Sequence, residues 1–384
     1  MTNKKHRLFI LGAGFSKPAG IPLANELWEI ILKRSNYFWG RASMFNDDLE
    51  AYIKYRHKCD GILLTRDEVN FEEFLGYLDI EHYLGLRGKD TWSDDGNEGQ
   101  IVAKTLIGEI LTQYTPKIND IPDLYLEFAN NLQPSDYILT FNYDTLLERS
   151  LDAIGKPYRL FPHRYKSASN NLGIVDSSKE EVIILKLHGS IDWFDKKNYL
   201  NSSQPYIDKG AEILPKNIIF NSNDRFTLKK LIDCPYYDTN PLNEIYRVVE
   251  IEKLYQKQLM FLATPWIVAP STNKIVYASP FSEFWYGLGV SGGYHFGMAI
   301  IGYSMPYHDI YARQIIYSLV ENYQSMCWDK EIYKIEKTPL ILIDLQSEQE
   351  KIDNYKKNYR FVDYSKAELH MDGFNWESIE KLFQ

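Results

Sequence analysis

Four short stretches hold residue types that could do chemistry on a nucleotide. In "LGAGFSKPAGIP", residues 11–22, an apolar run ends in a turn with three glycines, a serine and two prolines. Glycine forgoes packing and costs conformational entropy, so something there needs bare backbone. Gly12 and Gly14 either let backbone N–H groups approach a pyrophosphate at a helix N-terminus, or simply make a tight strand-to-helix turn. "TFNYD", residues 140–144, sets an amide, Asn142, and a carboxylate, Asp144, at the end of a second apolar run. Both could act on a substrate, and both are also common helix caps. "LKLHGSIDW", residues 185–193, places His188 at a third such end. Its ordinary pKa suits proton transfer, Gly189 beside it allows a close approach, and the alternative is a packing histidine. "GYSMPYHD", residues 302–309, puts Ser304 next to Gly302, at a ligand contact or an ordinary turn.

These stretches need a scaffold that brings distant turns to one edge. Five apolar, partly β-branched runs, at 7–14, 136–144, 181–190, 297–304 and 339–346, lack period-two alternation. That is the pattern of parallel strands covered on both faces. Helix-like stretches such as "LANELWEIILKRS" and "DTLLERSLDAIG" lie between several of them. The expected fold is α/β, a Rossmann-like doubly wound parallel sheet. In such sheets ligands sit outside the carboxyl ends of the strands, where the polar residues named above converge.

The first two runs are too far apart for one crossover helix. "NFEEFLGYLDIEHYLGL" and "QIVAKTLIGEILTQYTPKI" have helical spacing, which predicts an inserted helical module at about 24–130, broken by the polar loop "GKDTWSDDGNEG". A smaller mixed insert is expected at about 195–260, and residues 1–384 as a whole form the one domain that carries both.

Composition excludes several function classes. A hydrophobic share of 45% and a charged share of 25% are those of an ordinary globular chain. The net charge of -9 argues against broad nucleic-acid binding, leaving nucleic acid as an indirect contact through a partner. The three cysteines, Cys59, Cys234 and Cys327, form no CxxC pair, so neither a disulfide framework nor a four-cysteine zinc module is expected, and a reducing cytoplasm fits. The apolar run after "KKHR" is too short for a secretion signal. Residues 284–308 carry no Asp, Glu, Lys or Arg. Glycines, His295 and Pro306 interrupt them, so a buried loop leading into a core strand is expected, not a membrane span.

In this order and spacing the stretches resemble the sirtuin superfamily. "GAGFSKPAGIP" is similar to its GAGxSxxxGIP loop, "TFNYD" to its TQNID segment, "KLHGS" to its His-Gly motif and "GYSM" to its GTS segment, and "PWIVAPSTNK" (265–274) fits the bacterial branch. Two departures stand out. Leu23, Ala24 and Asn25 follow GIP where ordinary sirtuins have Asp-Phe-Arg, and the zinc module is missing. Both weaken a protein-deacylase reading. The "FEEFL", "TFNYD" and "LHGS" forms are closer to the sirtuin-like NADase branch of bacterial anti-phage defence.

The resemblance implies an NAD+ glycohydrolase that depletes the cofactor on infection, with NAD as substrate and no metal. It also implies a homo-oligomer and a HerA-type ATPase as partner. The implied catalytic residues are Asn142 and Asp144, which would stabilise an oxocarbenium-like sugar, and His188 as general base. Gly12, Ala13, Gly14, Ser16 and Thr140 would hold the cofactor, with Gly302 and Ser304 on the phosphate or adenosine side and Asp344 on an adenosine ribose hydroxyl. The competing reading is an NAD- or ADP-ribose-sensing scaffold, or a nuclease-associated subunit of a defence complex.

Overall fold

The computed structural model describes residues 6–35, 41–86, 96–134, 136–169, 172–211, 213–214, 217–221, 226–256, 264–269, 281–333 and 336–384. Residues 88–95 of the polar loop and 270–274 of "PWIVAPSTNK" lie outside them. Among the described residues the strands are, in chain order, β1 (Arg7–Leu11), β2 (Tyr137–Thr140), β3 (Tyr158–Arg159), β4 (Tyr165–Ser169), β5 (Leu172–Val175) and β6 (Val182–Lys186). They continue with β7 (Trp193–Asp195), β8 (Leu228–Lys230), β9 (Ile245–Val248), β10 (Gly297–Ile301), β11 (Leu340–Ile343) and β12 (Ala367–His370).

Seven of these make one sheet in the order β12-β11-β10-β1-β2-β6-β3, with every neighbouring pair parallel. Every residue of β6, β10 and β11 is buried, as is β1 beyond Arg7, so helices cover both faces. The five apolar runs of the sequence supply β1, β2, β6, β10 and β11, and the doubly wound parallel sheet expected from them is the observed architecture. Strands β3 and β12 escaped that reading because they form the two edges. Their residues, "YR" and "AELH", are half-buried or exposed and show no apolar run.

The chain lays β2, β6 and β3 on one side of β1, then crosses to build β10, β11 and β12 on the other. The strand order therefore reverses between β1 and β10, and their carboxyl ends flank the crevice where such sheets bind ligands.

Between β1 and β2 run helices Ala24–Ser35, Arg41–Asp60, Phe71–Tyr83, Glu98–Tyr114 and Asp123–Asn131. Glu98–Tyr114 is buried along most of its length, the mark of a central helix. Phe71–Tyr83 starts where the Asn70 side chain accepts the N–H groups of Glu72 and Glu73. Arg41–Asp60 was not legible as a helix. It is polar around most of its circumference, and its contact with the core runs through Phe45, Leu49 and Tyr52, spaced four and three apart.

Strands β7, β9 and β8 form a separate antiparallel sheet, accompanied by helix Lys196–Asp208. Phe194, Ile218, Ile219, Val248, Ile251, Leu254 and Tyr255 pack into its own small core. The uncharged stretch 284–308 departs from the expected buried loop. Tyr286, Val290 and Tyr294 are 89%, 85% and 69% exposed, because glycines at 287, 289, 292 and 293 leave no continuous apolar face to bury. Phe284 at its start is buried in the core, and from Gly297 the stretch enters the core again, as β10. Among the described residues no helix is long and apolar enough to cross a membrane.

Candidate active site

The glycine turn and the end of β10 are built into one another. Gly12 N donates to Ile301 O and Gly14 N to Gly302 O, both at 2.9 Å, and Gly302 N donates to Ile343 O at 2.7 Å. A Cβ on Gly14 would stand 2.6 Å from Gly302 Cα, and Gly302 itself has φ +63, a conformation that favours glycine. The bare backbone at this turn thus serves first to let two loops touch across the switch in strand order. Ala13, between the two glycines, is exposed toward the cavity described below. Phe15 O accepts from Tyr125 Oη at 2.7 Å, which pins the turn to helix Asp123–Asn131.

Asn142 leaves β2 and reaches back to this turn. Its Nδ2 donates to Gly12 O at 2.9 Å and Ser16 Oγ at 3.1 Å, while its backbone N donates to Thr140 Oγ1. Both amide protons are then used, so Oδ1 is what the side chain has to offer a ligand. Asp144 Oδ1 accepts from the backbone N of Leu146, the first residue of helix Leu146–Ala153, at 3.0 Å, although Thr145 is the N-cap residue, and Asp144 also lines the cavity. Beneath the loop, the buried Lys186 ammonium donates to Asp144 O and pairs with Glu148 at 2.8 Å. Burial raises the Glu148 carboxyl, and Lys186 opposes that rise.

His188 follows β6 and is 3% exposed. Its Nε2 lies 3.1 Å from Oδ2 of Asp309, which is 0% exposed. Its ring meets Phe141 edge-on at 5.0 Å, and Phe141 stacks on Tyr303 at 4.4 Å. Asp309 is itself held: its Oδ1 accepts from Ala312 N at the start of helix Ile310–Ser325, and its Oδ2 accepts from Tyr303 Oη at 3.2 Å. Burial, with Asp309 adding to it, pushes the Tyr303 phenol far above its ordinary range and keeps it a proton donor. Gly189, expected to admit a ligand, has φ +79 and turns its open side to the backbone carbonyl of Trp266.

The segment from Gly302 to Asp309 is fixed from several directions. Met305 adopts φ 54 and is fully buried, a conformation rare for a non-glycine residue that the surroundings must impose. Arg313 donates to Met305 O, Asn358 to Ser304 O and Tyr359 to Tyr303 O. From the helices between β1 and β2, Glu72 meets His308 Nε2 at 2.6 Å and Glu73 accepts from Tyr307 Oη at 3.2 Å. Asp344, at the end of β11, accepts from Leu345 N through Oδ1. Its Oδ2 is buried without a hydrogen bond, and burial lifts its carboxyl above the ordinary range.

One cavity of about 1490 Å³ gathers these groups: Ala13, Gly14, Asn142, Asp144, His188, Gly302, Ser304 and Asp344 all line it. Gly12, Ser16 and Thr140 stand behind the lining, in the hydrogen bonds given above. Leu23, Ala24, Asn25 and Glu72 line the cavity as well. The volume exceeds the roughly 300–1,000 Å³ of sites for single small molecules, so it has room for a dinucleotide. Among the described residues no group of three or more His, Cys, Asp and Glu side chains could hold a metal ion.

Sequence reasoning missed Asp309, the residue that orients His188. The available signal was an aspartate immediately before an amphipathic stretch, the usual trace of a helix cap. Its reach to His188 depends on β10 and β6 ending at the same edge of the sheet.

A parallel, doubly wound α/β protein with a cavity at its switch point is the class that fold and site define. Residues 136–261 match the family model described as the SIR2-like domain. That match spans β2 to β9 and includes Asn142, Asp144 and His188. No curated protein matches the chain. Among solved structures, similarity extends to one described as "The Structural basis of Sirtuin Substrate Affinity", at 12% identity and TM-score 0.34, covering 99% of this chain and 94% of that one. It extends also to Sir2Tm bound to a propionylated peptide, at 12% and 0.33, covering 99% and 92%, and to a Sir2–p53 peptide–NAD+ complex, at 11% and 0.30, covering 99% and 92%.

Proposed function

We propose that this protein is an NAD+ glycohydrolase that cleaves the nicotinamide–ribose bond with water, giving nicotinamide, ADP-ribose and a proton. The observation that carries the reading is His188, paired with the buried Asp309, lining one cavity with Asn142 and the glycine turn. The SIR2-like match over 136–261 supports NAD as the ligand class.

Nicotinamide departs as a neutral ring and needs little acid catalysis. The demand lies in the positive charge that develops on the ribose, which fixed dipoles and negative potential stabilise. Asn142 is suited to this role because Gly12 and Ser16 hold its amide, leaving Oδ1 as the negative end of a fixed dipole. Asp144 adds negative potential at the same wall. His188 accepts the proton from attacking water or a ribose hydroxyl, and Asp309 keeps its ring in place and stabilises the imidazolium that forms. The pyrophosphate lies against Ala13 and Gly14, Ser304 contacts the phosphate or adenosine side, and Asp344 Oδ2 accepts from an adenosine ribose hydroxyl. Leu23, Ala24 and Asn25 stand where ordinary sirtuins have the residues that cover nicotinamide, and in this reading water fills the place where a deacylase takes its acyl-lysine. The cellular role in this reading is NAD depletion in anti-phage defence, with a HerA-type ATPase as partner.

The test is nicotinamide release from NAD by the purified protein, wild type beside His188→Ala and Asn142→Ala, alone and with any ATPase encoded next to it. Release that vanishes in both variants is expected. NAD binding without release under either condition would replace this reading with a sensing scaffold.

A further inference from the structure

A second cavity, of about 570 Å³, opens at the β3 edge of the sheet, and none of its lining residues lines the first. Its volume falls within the range of small-molecule sites. Six cationic residues line it, Lys156, Arg159, Arg164, Lys229, Lys230 and Arg247, together with the acidic Asp152 and Asp233. In a chain of net charge -9 this is a marked local reversal of sign. A concave wall with an excess of one sign raises the local concentration of counter-charged ligands.

The arginines are held in place before any ligand arrives. Arg164 makes two bonds to the buried Glu181, at 2.8 and 2.7 Å, and one to Asp233 at 2.8 Å. Arg159 lies 3.5 Å from the same Glu181, and Arg247 donates to Asp192 at 2.9 Å. Glu181 and Asp192 lie outside the lining, and with Asp152 and Asp233 they bring the carboxylates to four against six cations. Lys156 spends its ammonium on the carbonyls of Asn130 and Leu132. The excess charge therefore rests on the exposed Lys229 and Lys230 of β8, of which Lys229 lies across the ladder from Arg247 and shares its face. Phe161 and Tyr158, each with an arginine over its ring, complete the wall.

We propose that this cavity is a second ligand site, selective for a small molecule that bears linked phosphates. The guanidinium groups of Arg164 and Arg247, fixed by the buried Glu181 and Asp192, recognise phosphate oxygens directionally, whereas Arg159 already donates to Phe161 O and Pro162 O, and the lysines of β8 supply the charge that a monoanion would not need. A pocket of this volume takes a small molecule.

The test is calorimetric titration of the full chain with inorganic triphosphate, and with acetate as a monoanion. Wild type binds triphosphate, with an affinity that falls as salt is raised, and does not bind acetate. Lys229→Glu with Lys230→Glu, two exposed positions whose exchange leaves the core intact, lowers the affinity at least tenfold. Ser304→Glu, which places a carboxylate in the first cavity, leaves it unchanged. No binding by wild type would overturn the proposal, as would a loss that follows Ser304→Glu and not the lysine pair. Tighter binding of a single-stranded oligonucleotide than of triphosphate through the same lysines would also overturn it.

Discussion

Asp309 Oδ2 stands 3.1 Å from His188 Nε2, and both side chains are shut away from solvent. The two residues come from different strands' ends, 121 positions apart in the chain, and each is held by further contacts of its own. A carboxylate so placed fixes one orientation of the imidazole.

Asp309→Asn keeps the shape of that contact and removes its charge. We expect kcat for nicotinamide release to fall about 100-fold with KM within about threefold. A purely structural Asp309 would instead lower Tm and leave the turnover of the folded fraction intact, which thermal melting beside steady-state kinetics would reveal.

Gly302→Ala tests the contact between the two loops. The new Cβ meets the backbone of Gly14 and Phe15, and φ +63 is unfavourable for any L-residue. The strain alone costs about 1–2 kcal/mol, and the overlap adds to it. Tm should drop by several degrees, and NAD binding should weaken even where the protein remains folded. An unchanged melting curve would mean that the loops part easily.

We expect His295 to govern part of the acid response. Burial pushes its imidazole down to about 4 from an ordinary 6.5. Between those values the unfolded chain holds a proton that the folded chain does not, so stability is lost as pH falls through this window. Nδ1 of His295 is buried without a hydrogen bond, and Tyr137 packs edge-on against the ring. His295→Phe should flatten the decline in Tm between pH 6.5 and about 4, the interval set by the two values above. A decline as steep as that of wild type would assign it to other groups.

Asp344 responds in the opposite sense. Its folded carboxyl is lifted by burial, so the folded chain keeps a proton that the unfolded one has released. Stability therefore falls as pH rises through that window. Asp344→Asn should raise Tm at neutral pH, with the gain fading toward about pH 4. The same variant should gain less thermal stabilisation from NAD than wild type does, because Oδ2 has lost its charge as an acceptor for a ribose hydroxyl. Equal gains would remove Asp344 from the adenosine subsite.

Much of the scaffold was legible in the chain because burial on both faces leaves a direct compositional trace. β1, β6, β10 and β11 read as unbroken apolar runs for that reason, and β3 and β12 did not, since an edge strand needs no such run. Helix Arg41–Asp60 hid its three core contacts in a polar background. The expected buried loop before β10 proved exposed at Tyr286, Val290 and Tyr294, because glycine interruptions that exclude a membrane span also prevent an apolar face.

The sequence by itself determined which residues could do chemistry and that they stand at strand ends: Asn142, His188, Ser304 and Asp344 each follow an apolar run, and side-chain chemistry is local. Only the tertiary structure decided which of them meet. Strand order is set by packing between distant segments, and it brings Asp309 to His188, Asn142 to Gly12 and Gly302 to Gly14. It also decided that Gly189 faces a tryptophan carbonyl, and that six cations of an acidic chain line one cavity. No local pattern records such pairings, because each depends on which strand ends share an edge of the sheet.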